Sequence, residues 1–245
     1  MTTTLLVSSL ACNLAAAGMV GLTVGAAFLP SRRRGLRSEN QLVEALGVPL
    51  LAARPLAPRA LAQQLLAYWF HRGRALLPVV SAERGTGGTH AAVELARAFA
   101  ALGERTLLID ADFRSPGVHA ELGLANRAGL IDFLEGRGAA LAHCSENLSV
   151  LVAGRAGADP LDLLSRPRMQ ALLANAAQRY SVVLVDTPPS ASGPDLQLFA
   201  AFGGGALVVT RKAASPDKLE RLRKLLAACR AQVVGTVIAQ HPTLA

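Results

Sequence analysis

The segment from Leu76 to Pro116, LLPVVSAERGTGGTHAAVELARAFAALGERTLLIDADFRSP, decides the fold. Its apolar start predicts a buried strand, which is followed by the polar, glycine-rich turn from Ser81 to Thr89. The next residues show a helical apolar pattern that ends at Gly103, and a second apolar run leads to Asp110. These parts form one βαβ unit, in which the glycine-rich loop lies at a helix N-terminus and can hold phosphate.

Further apolar runs alternate with amphipathic segments along the rest of the chain. The runs predict strands at Leu148–Val152, Val182–Val185, Ala206–Thr210 and Val233–Ile238. One helix is predicted from Arg168 to Tyr180, with Tyr180 in the core, and another begins at Ser215 as its N-cap. Continuous apolar strands separated by helices indicate an α/β fold, with a doubly wound, mostly parallel sheet covered on both faces. The three cysteines, Cys12, Cys144 and Cys229, are too few and too scattered for a disulfide framework or a zinc site.

The glycine-rich loop is close to the phosphate-binding pattern G-x-x-x-x-G-K-[S/T]. Gly85, Gly87 and Thr89 occupy sensible places in such a loop, and Thr89 would supply the hydroxyl that holds Mg²⁺. Gly88 occupies the position of the lysine, which normally contacts the β- and γ-phosphates. A glycine-rich turn alone is also compatible with a plain connection in an ordinary α/β domain.

Carboxylates follow two of the predicted strands. Asp110 and Asp112 come after the second strand of the βαβ unit, and Asp186 comes after the strand at 182–185. Because the carboxyl ends of parallel strands meet at one edge of the sheet, these groups are predicted to form a Mg²⁺ and nucleotide site beside the loop. Alternatively, they cap local elements or pair with arginines.

Three segments, SAERGTGGT, LLIDADFRSP and VVLVDTPP, resemble the nucleotide-site motifs of the bacterial tyrosine autokinases (BY-kinases). This family is related to the septum-site and chromosome-partitioning ATPases, and it forms the cytoplasmic part of polysaccharide co-polymerases. The resemblance extends from about Gly35 to Gln240. It implies binding of ATP or ADP with Mg²⁺. Asp110 and Asp112 are the expected catalytic residues, and Thr89, Asp110 and Asp186 are the expected metal ligands. The nucleotide is expected to contact Arg84, Gly85, Thr86, Gly87, Gly88, Thr89 and His90.

The sequence departs from the family pattern at four places. The loop lysine is Gly88, and only Arg59 remains of the E-x-x-R-x-x-R motif that packs into a neighbouring subunit. No tyrosine cluster follows the last strand, and Ala239-Gln240 replaces an asparagine near the adenine. Loss of one charged transition-state contact typically costs about 2.7–4 kcal/mol. Arg84 is an alternative cation, although its position suits the lysine's role poorly.

The uncharged stretch from Leu5 to Leu29 is long enough to cross a bilayer as a helix. The basic residues after Pro30 place its C-terminal side in the cytoplasm, whereas a cleaved signal peptide would need basic residues before Leu5. The predicted organisation is a transmembrane helix at 1–30, a basic juxtamembrane linker and helix at 31–75, and a P-loop kinase-like domain at 76–245. Residues 31–74 contain eight arginines and two glutamates, which favours anionic inner-membrane lipids over nucleic acid.

Together these features predict a single-pass inner-membrane protein whose cytoplasmic BY-kinase-like domain regulates the chain length or export of an exopolysaccharide or capsule. Impaired phosphoryl transfer is expected from the missing lysine. The expected partners are polysaccharide co-polymerase or export proteins, with homo-oligomer formation left open. Two alternatives are an active tyrosine kinase or ATPase of the same pathway and a positioning ATPase of the partitioning type.

Overall fold

The computed structural model describes residues 47, 50–52, 57–155 and 159–239. These residues all belong to one compact unit, Gly35–Ala245. The predicted membrane segment and the arginine-rich part of the linker before Leu50 lie outside the described residues. Within the described ranges, no helix has both the length and the apolar character needed to cross a membrane.

The described part of the chain contains eight strands and eight α-helices. The strands are β1 (Leu50–Ala52), β2 (Leu76–Val80), β3 (Thr106–Asp110), β4 (Ala142–Ser145), β5 (Leu148–Leu151), β6 (Val182–Asp186), β7 (Gly205–Thr210) and β8 (Gln232–Ile238). The helices are α1 (Pro58–Tyr68), α2 (Gly88–Ala101), α3 (Val118–Glu121), α4 (Leu130–Leu134), α5 (Pro160–Leu164), α6 (Pro167–Arg179), α7 (Asp195–Gly203) and α8 (Pro216–Ala228). Short 3₁₀ turns occupy Phe70–Arg72 and Ser190–Ser192.

All eight strands form one sheet in the order β1-β8-β7-β2-β6-β3-β5-β4. Every neighbouring pair is parallel except β4 and β5. The mostly parallel α/β prediction is therefore confirmed. The antiparallel edge strand β4 was not predicted, because its side chains are largely exposed and form no apolar run.

Alternation of side chains along the strands divides the core between the two faces of the sheet. On one face, Leu77 and Val79 of β2 pack with helices α1 and α2. On the other face, Leu76 packs in a cluster with helices α4 to α7, and Val80 packs with α7 and α8. Burial of β2 on both faces places it in the middle of the sheet, so the loop that follows β2 emerges at the centre of the sheet edge.

Helix α1 is built into this core. Leu61 and Leu65 are fully buried, and the following Trp69 donates a 3.1 Å hydrogen bond from its indole N–H to the carbonyl oxygen of Leu76. Tyr68 is 52% exposed, so of these two aromatic residues only Trp69 is a core residue. Tyr180, predicted to complete an apolar face, is only half-buried.

Helix α8 begins as predicted, with Ser215 as its N-cap residue and Pro216 at its first position. The side chain of Ser215 makes no capping hydrogen bond. The backbone of Ser215 instead hydrogen-bonds to Glu83, which lies in the glycine-rich loop. This contact joins the glycine-rich loop to the start of α8, and no local sequence signal reveals it.

Candidate nucleotide site

The glycine-rich loop leaves β2 and begins α2 in the geometry expected of a phosphate loop. Gly87, the N-cap of α2, has φ +83°, and a Cβ atom on it would lie 3.1 Å from Cβ of Ala239. The positive φ therefore favours glycine here, and the close approach to Ala239 leaves little room for a side chain. No side chain caps α2, so the backbone N–H groups of its first turn are available to an anion.

A cavity of about 390 Å³ opens above this loop. All seven residues predicted to contact the nucleotide line it, from Arg84 to His90. Its remaining walls include Glu83, Asp112, Glu121 and Asp186. Among the described residues of the lining, Arg84 is the only one with a permanent positive charge. The cavity therefore combines a carboxylate-rich wall, which suits a divalent cation, with an amide-rich loop, which suits phosphate.

The three predicted aspartates meet at the carboxyl end of the sheet. Asp110 ends β3 and is the direct ladder partner of Asp186, which ends β6. Asp110 accepts hydrogen bonds from the backbone N–H groups of Asp112, Gly117 and Val118 at 3.1–3.2 Å. It lies fully buried, whereas Asp112 and Asp186 line the cavity. The placement predicted from the ends of the strands thus brings the carboxylates together, with Asp110 behind the other two.

Burial dominates the protonation of this pair. It raises the pKa of Asp110 from 3.8 to about 7, although three backbone N–H groups oppose the shift. Burial also raises the pKa of Asp186 well above its ordinary value, and the charge of Asp110 adds to this effect. The hydrogen bond from the Thr89 side chain lowers it only in part. Burial therefore disfavours two negative charges on this pair.

A divalent cation fits this arrangement. The Oδ2 atom of Asp186 is buried and has no hydrogen-bond partner, and the Thr89 side chain bonds to the same carboxylate. Oxygen ligands of this kind suit Mg²⁺, which usually takes only one or two carboxylates and keeps several waters. No cluster of three or more His, Cys, Asp or Glu side chains suited to a metal occurs among the residues that the structure describes. Thr89 and Asp186 would thus hold the ion, with Asp110 behind them.

The position of the missing lysine is open. A Cβ atom added to Gly88 would have no neighbour closer than 4.0 Å, the distance to Oγ of Ser81 and to Oγ1 of Thr86. Arg84 does not occupy this space, because its Nη1 atom donates a 2.5 Å hydrogen bond to Oγ of Ser115. His90 is likewise directed to Glu121, with 3.3 Å between Nδ1 and Oε2.

Two ion pairs around the site were not predicted from the sequence. Glu83 accepts a 2.9 Å hydrogen bond from Nζ of Lys218, which lowers the pKa of Glu83 and ties the loop to α8. Arg114, in the loop after β3, pairs with the buried carboxylate of Asp195 at the start of α7. The two partners in these pairs lie 135 and 81 residues apart. Position and residue type alone therefore carried no signal for either pair.

The glycine-rich loop after a central parallel strand, with carboxylates on the neighbouring strand ends, defines a P-loop type of α/β fold. The sequence matches no established family model. It is 32% identical over 165 residues to the tyrosine-protein kinase YwqD of Bacillus subtilis, and the match covers 65% of this chain and 70% of that protein. The tyrosine-protein kinase etk of Escherichia coli is 30% identical over 190 residues, which are 74% of this chain and 26% of etk. For the tyrosine-protein kinase wzc of Salmonella typhimurium the identity is 34% over 137 residues, or 54% of this chain and 19% of wzc.

Solved structures share the fold. The kinase domain of the Escherichia coli tyrosine kinase ETK superimposes with a TM-score of 0.78 at 23% identity, over 86% of this chain and 97% of that domain. The septum-site-determining protein MinD of Pyrococcus horikoshii, complexed with Mg-ADP, gives 0.56 at 22% identity, over 67% of this chain and 69% of that protein. The chain belongs to the family of bacterial tyrosine-protein kinases, as its motifs predicted. It spans about a fifth to a quarter of the length of wzc and etk.

Proposed function

We propose that this chain is a membrane-anchored BY-kinase-like protein whose cytoplasmic domain binds ATP or ADP with Mg²⁺ and transfers phosphate poorly. Its role would be regulatory, in the chain length or export of an exopolysaccharide or capsule. Family membership supports the nucleotide site, and the co-polymerase role rests on the resemblance of the motifs. The predicted organisation at 1–30, 31–75 and 76–245 is part of this proposal.

One observation carries the reduced activity. The helix that would receive the terminal phosphates begins at Gly88, and a Cβ atom there would meet only the hydroxyl oxygens of Ser81 and Thr86, at 4.0 Å. Arg84 is the permanent cation of the cavity lining, and it is hydrogen-bonded to Ser115 on the opposite wall. The loop can therefore hold phosphate through its amides, but the charge that stabilises the transferring group is missing.

The remaining residues have defined tasks in this proposal. The N–H groups from Gly85 to Thr89 bind phosphate oxygens, and Thr89 and Asp186 hold Mg²⁺, which when bound offsets the negative charge of the phosphates. Asp110 fixes the loop after β3 through the backbone N–H groups of Gly117 and Val118. Asp112 faces the cavity, where it can orient an attacking hydroxyl group.

A second candidate is an active kinase or ATPase. The carboxylates and the loop conformation favour it, because both are retained in the absence of the lysine. Steady-state ATP turnover by wild type, Gly88→Lys and Asp110→Asn separates the two functions. We expect wild type to lie 10²- to 10³-fold below Gly88→Lys and close to Asp110→Asn, since one charged contact is worth about that factor. Wild-type turnover equal to that of Gly88→Lys and far above that of Asp110→Asn would establish the active kinase instead.

A further inference from the structure

The lysines of this chain are confined to one short stretch. All three, Lys212, Lys218 and Lys224, lie in or just before helix α8, and every other basic residue is an arginine. Residues 211–230 contain seven basic and two acidic residues, whereas the rest of 57–239 contains thirteen of each. The whole excess positive charge of 57–239 thus belongs to this stretch, which we call the α8 basic face.

The basic side chains point outward because α8 is amphipathic. Leu219, Leu222 and Leu226 are fully buried against the sheet. The side chains of Lys218 and Lys224 are 49% and 68% exposed. Since the buried leucines occupy one side of the helix, the charged residues form a stripe along the other side.

Only part of this charge is compensated. Lys218 and Arg211 approach Glu83, and Lys224 pairs with Glu220 one turn away. Four basic residues of the stretch form no ion pair among the described residues, although the charge of Arg223 still acts on Glu220. They are Lys212, Arg221, Arg223 and Arg230.

We propose that the α8 basic face binds the anionic lipid surface of the membrane. The stretch has no aromatic residue on which a nucleic-acid base could stack. It also has no exposed large apolar side chain, which the centre of a protein interface usually provides. A diffuse array of lysine and arginine side chains without an apolar anchor matches the diffuse charge of anionic head groups.

The position of the face in the fold supports this partner. Helix α8 packs on β8, and β8 pairs with β1, the first described strand. Only twenty residues separate β1 from Leu29, the end of the predicted membrane segment. The inference rests on the proposed function in this one respect, since the anchor would keep the domain at high effective concentration near the bilayer.

The confinement of the lysines provides a direct measurement. The full chain is reconstituted in nanodiscs of phosphatidylcholine alone or with 30% phosphatidylglycerol, and then treated with an amine-acetylating reagent at 50 mM salt. Apart from the N-terminal amine, every acetylated site seen by mass spectrometry then reports on the α8 basic face. We expect acetylation of Lys212 and Lys224 to be at least threefold slower in the anionic discs, and the difference to disappear at 500 mM salt.

Matched variants distinguish the effect of the α8 basic face from the effect of the overall charge of the chain. Arg221→Gln, Arg223→Gln and Arg230→Gln together keep all three lysine reporters and should abolish most of the protection. The control triple Arg127→Gln, Arg155→Gln and Arg168→Gln removes the same charge from exposed arginines elsewhere and should leave the protection unchanged.

Each other result contradicts the proposal. Equal acetylation in both discs would exclude lipid binding by this face, and protection that appears only with added polyglutamate or RNA would assign the face to a protein or nucleic acid. If the chain does not enter discs, the proposed anchor fails, and the same acetylation assay is run with anionic vesicles added to the soluble chain. Salt-sensitive protection there would still support the face, whereas its absence would overturn it.

Discussion

Asp110 and Asp186 are direct partners in the parallel ladder between β3 and β6, and both side chains are buried. Because burial raises the pKa of both groups, the native state holds a proton that the unfolded chain releases at neutral pH. An acid with a raised native pKa makes the fold less stable as pH rises, here from about 4 to about 7 for Asp110. In the absence of Mg²⁺, the domain should therefore be more stable at pH 5 than at pH 8.

Asp186→Asn tests this relationship, because the amide cannot ionise. We expect its free energy of unfolding at pH 8 to exceed that of wild type by about 2–4 kcal/mol, with a difference that shrinks as pH falls and is small below about pH 4. Urea unfolding of the Ser31–Ala245 fragment, which contains the whole compact unit, measures both. Millimolar Mg²⁺ should reduce the pH dependence of wild type and not that of the variant. Identical pH profiles of the two proteins would show that the pair ionises freely.

The ion pair of Arg114 with Asp195 is the second element to test. The Asp195 side chain is only 1% exposed, so removal of Arg114 leaves a buried carboxylate without its partner. Arg114→Met should reduce the free energy of unfolding by about 3–5 kcal/mol. Arg97→Met is the matched control, because its exposed pair with Glu94 should contribute less than about 1 kcal/mol. Similar losses of unfolding free energy in the two variants would mean that the buried ion pair stabilises the fold no more than the exposed one.

Some parts of the fold and of the site could be predicted from the sequence, and others could not. Strands β2 and β6 were predicted closely, because runs such as Leu76–Val80 are buried on both faces and need no partner information to be recognised. The meeting of Asp110 and Asp186 followed from the rule that parallel strands share a carboxyl edge.

What could not be predicted depends on contacts between distant residues. Strand β4 has no apolar run, since only its pairing with β5 makes it a strand. The contact of Glu83 with the backbone of Ser215 and with Lys218 joins residues that meet only in the folded chain. The contact of Arg84 with Ser115 likewise joins two separate loops.

The predicted membrane anchor lies outside the described residues and needs a cellular test. Leu5–Leu29 should place everything after Ser31 in the cytoplasm, because the basic residues all follow the apolar stretch. A reporter enzyme fused after Ala245 should be active only if it functions in the cytoplasm. Activity of a reporter that works only outside the cytoplasm would contradict the predicted topology. Full recovery of the protein in the soluble fraction would contradict the predicted anchor.

Tyrosine phosphorylation gives a test of the reduced activity. Tyr68 and Tyr180 are the only tyrosines of the chain, and Tyr180 is half-buried at the end of α6. The purified full chain with Mg·ATP should therefore show no phosphotyrosine by mass spectrometry. Phosphate on either residue that disappears in Asp110→Asn would identify an active autokinase.

We propose that Gly88 deprives an otherwise intact phosphate loop of its cation. Gly88→Lys restores an ammonium group at a position where the backbone and the surrounding space accept a side chain. Gly88→Met is the matched control, because it adds a long side chain with similar helix propensity and no charge.

Calorimetry on the Ser31–Ala245 fragment with ATP and with ADP measures the effect of residue 88 on nucleotide affinity directly. Wild type should bind both weakly and with little preference, because the group that distinguishes the terminal phosphates is missing. Gly88→Lys should bind ATP more tightly by about 1.5–3 kcal/mol, with a smaller gain for ADP, and Gly88→Met should show neither gain. Tight ATP binding by wild type that Gly88→Lys does not change would contradict the claim, since Arg84 or His90 would then already serve as the lysine.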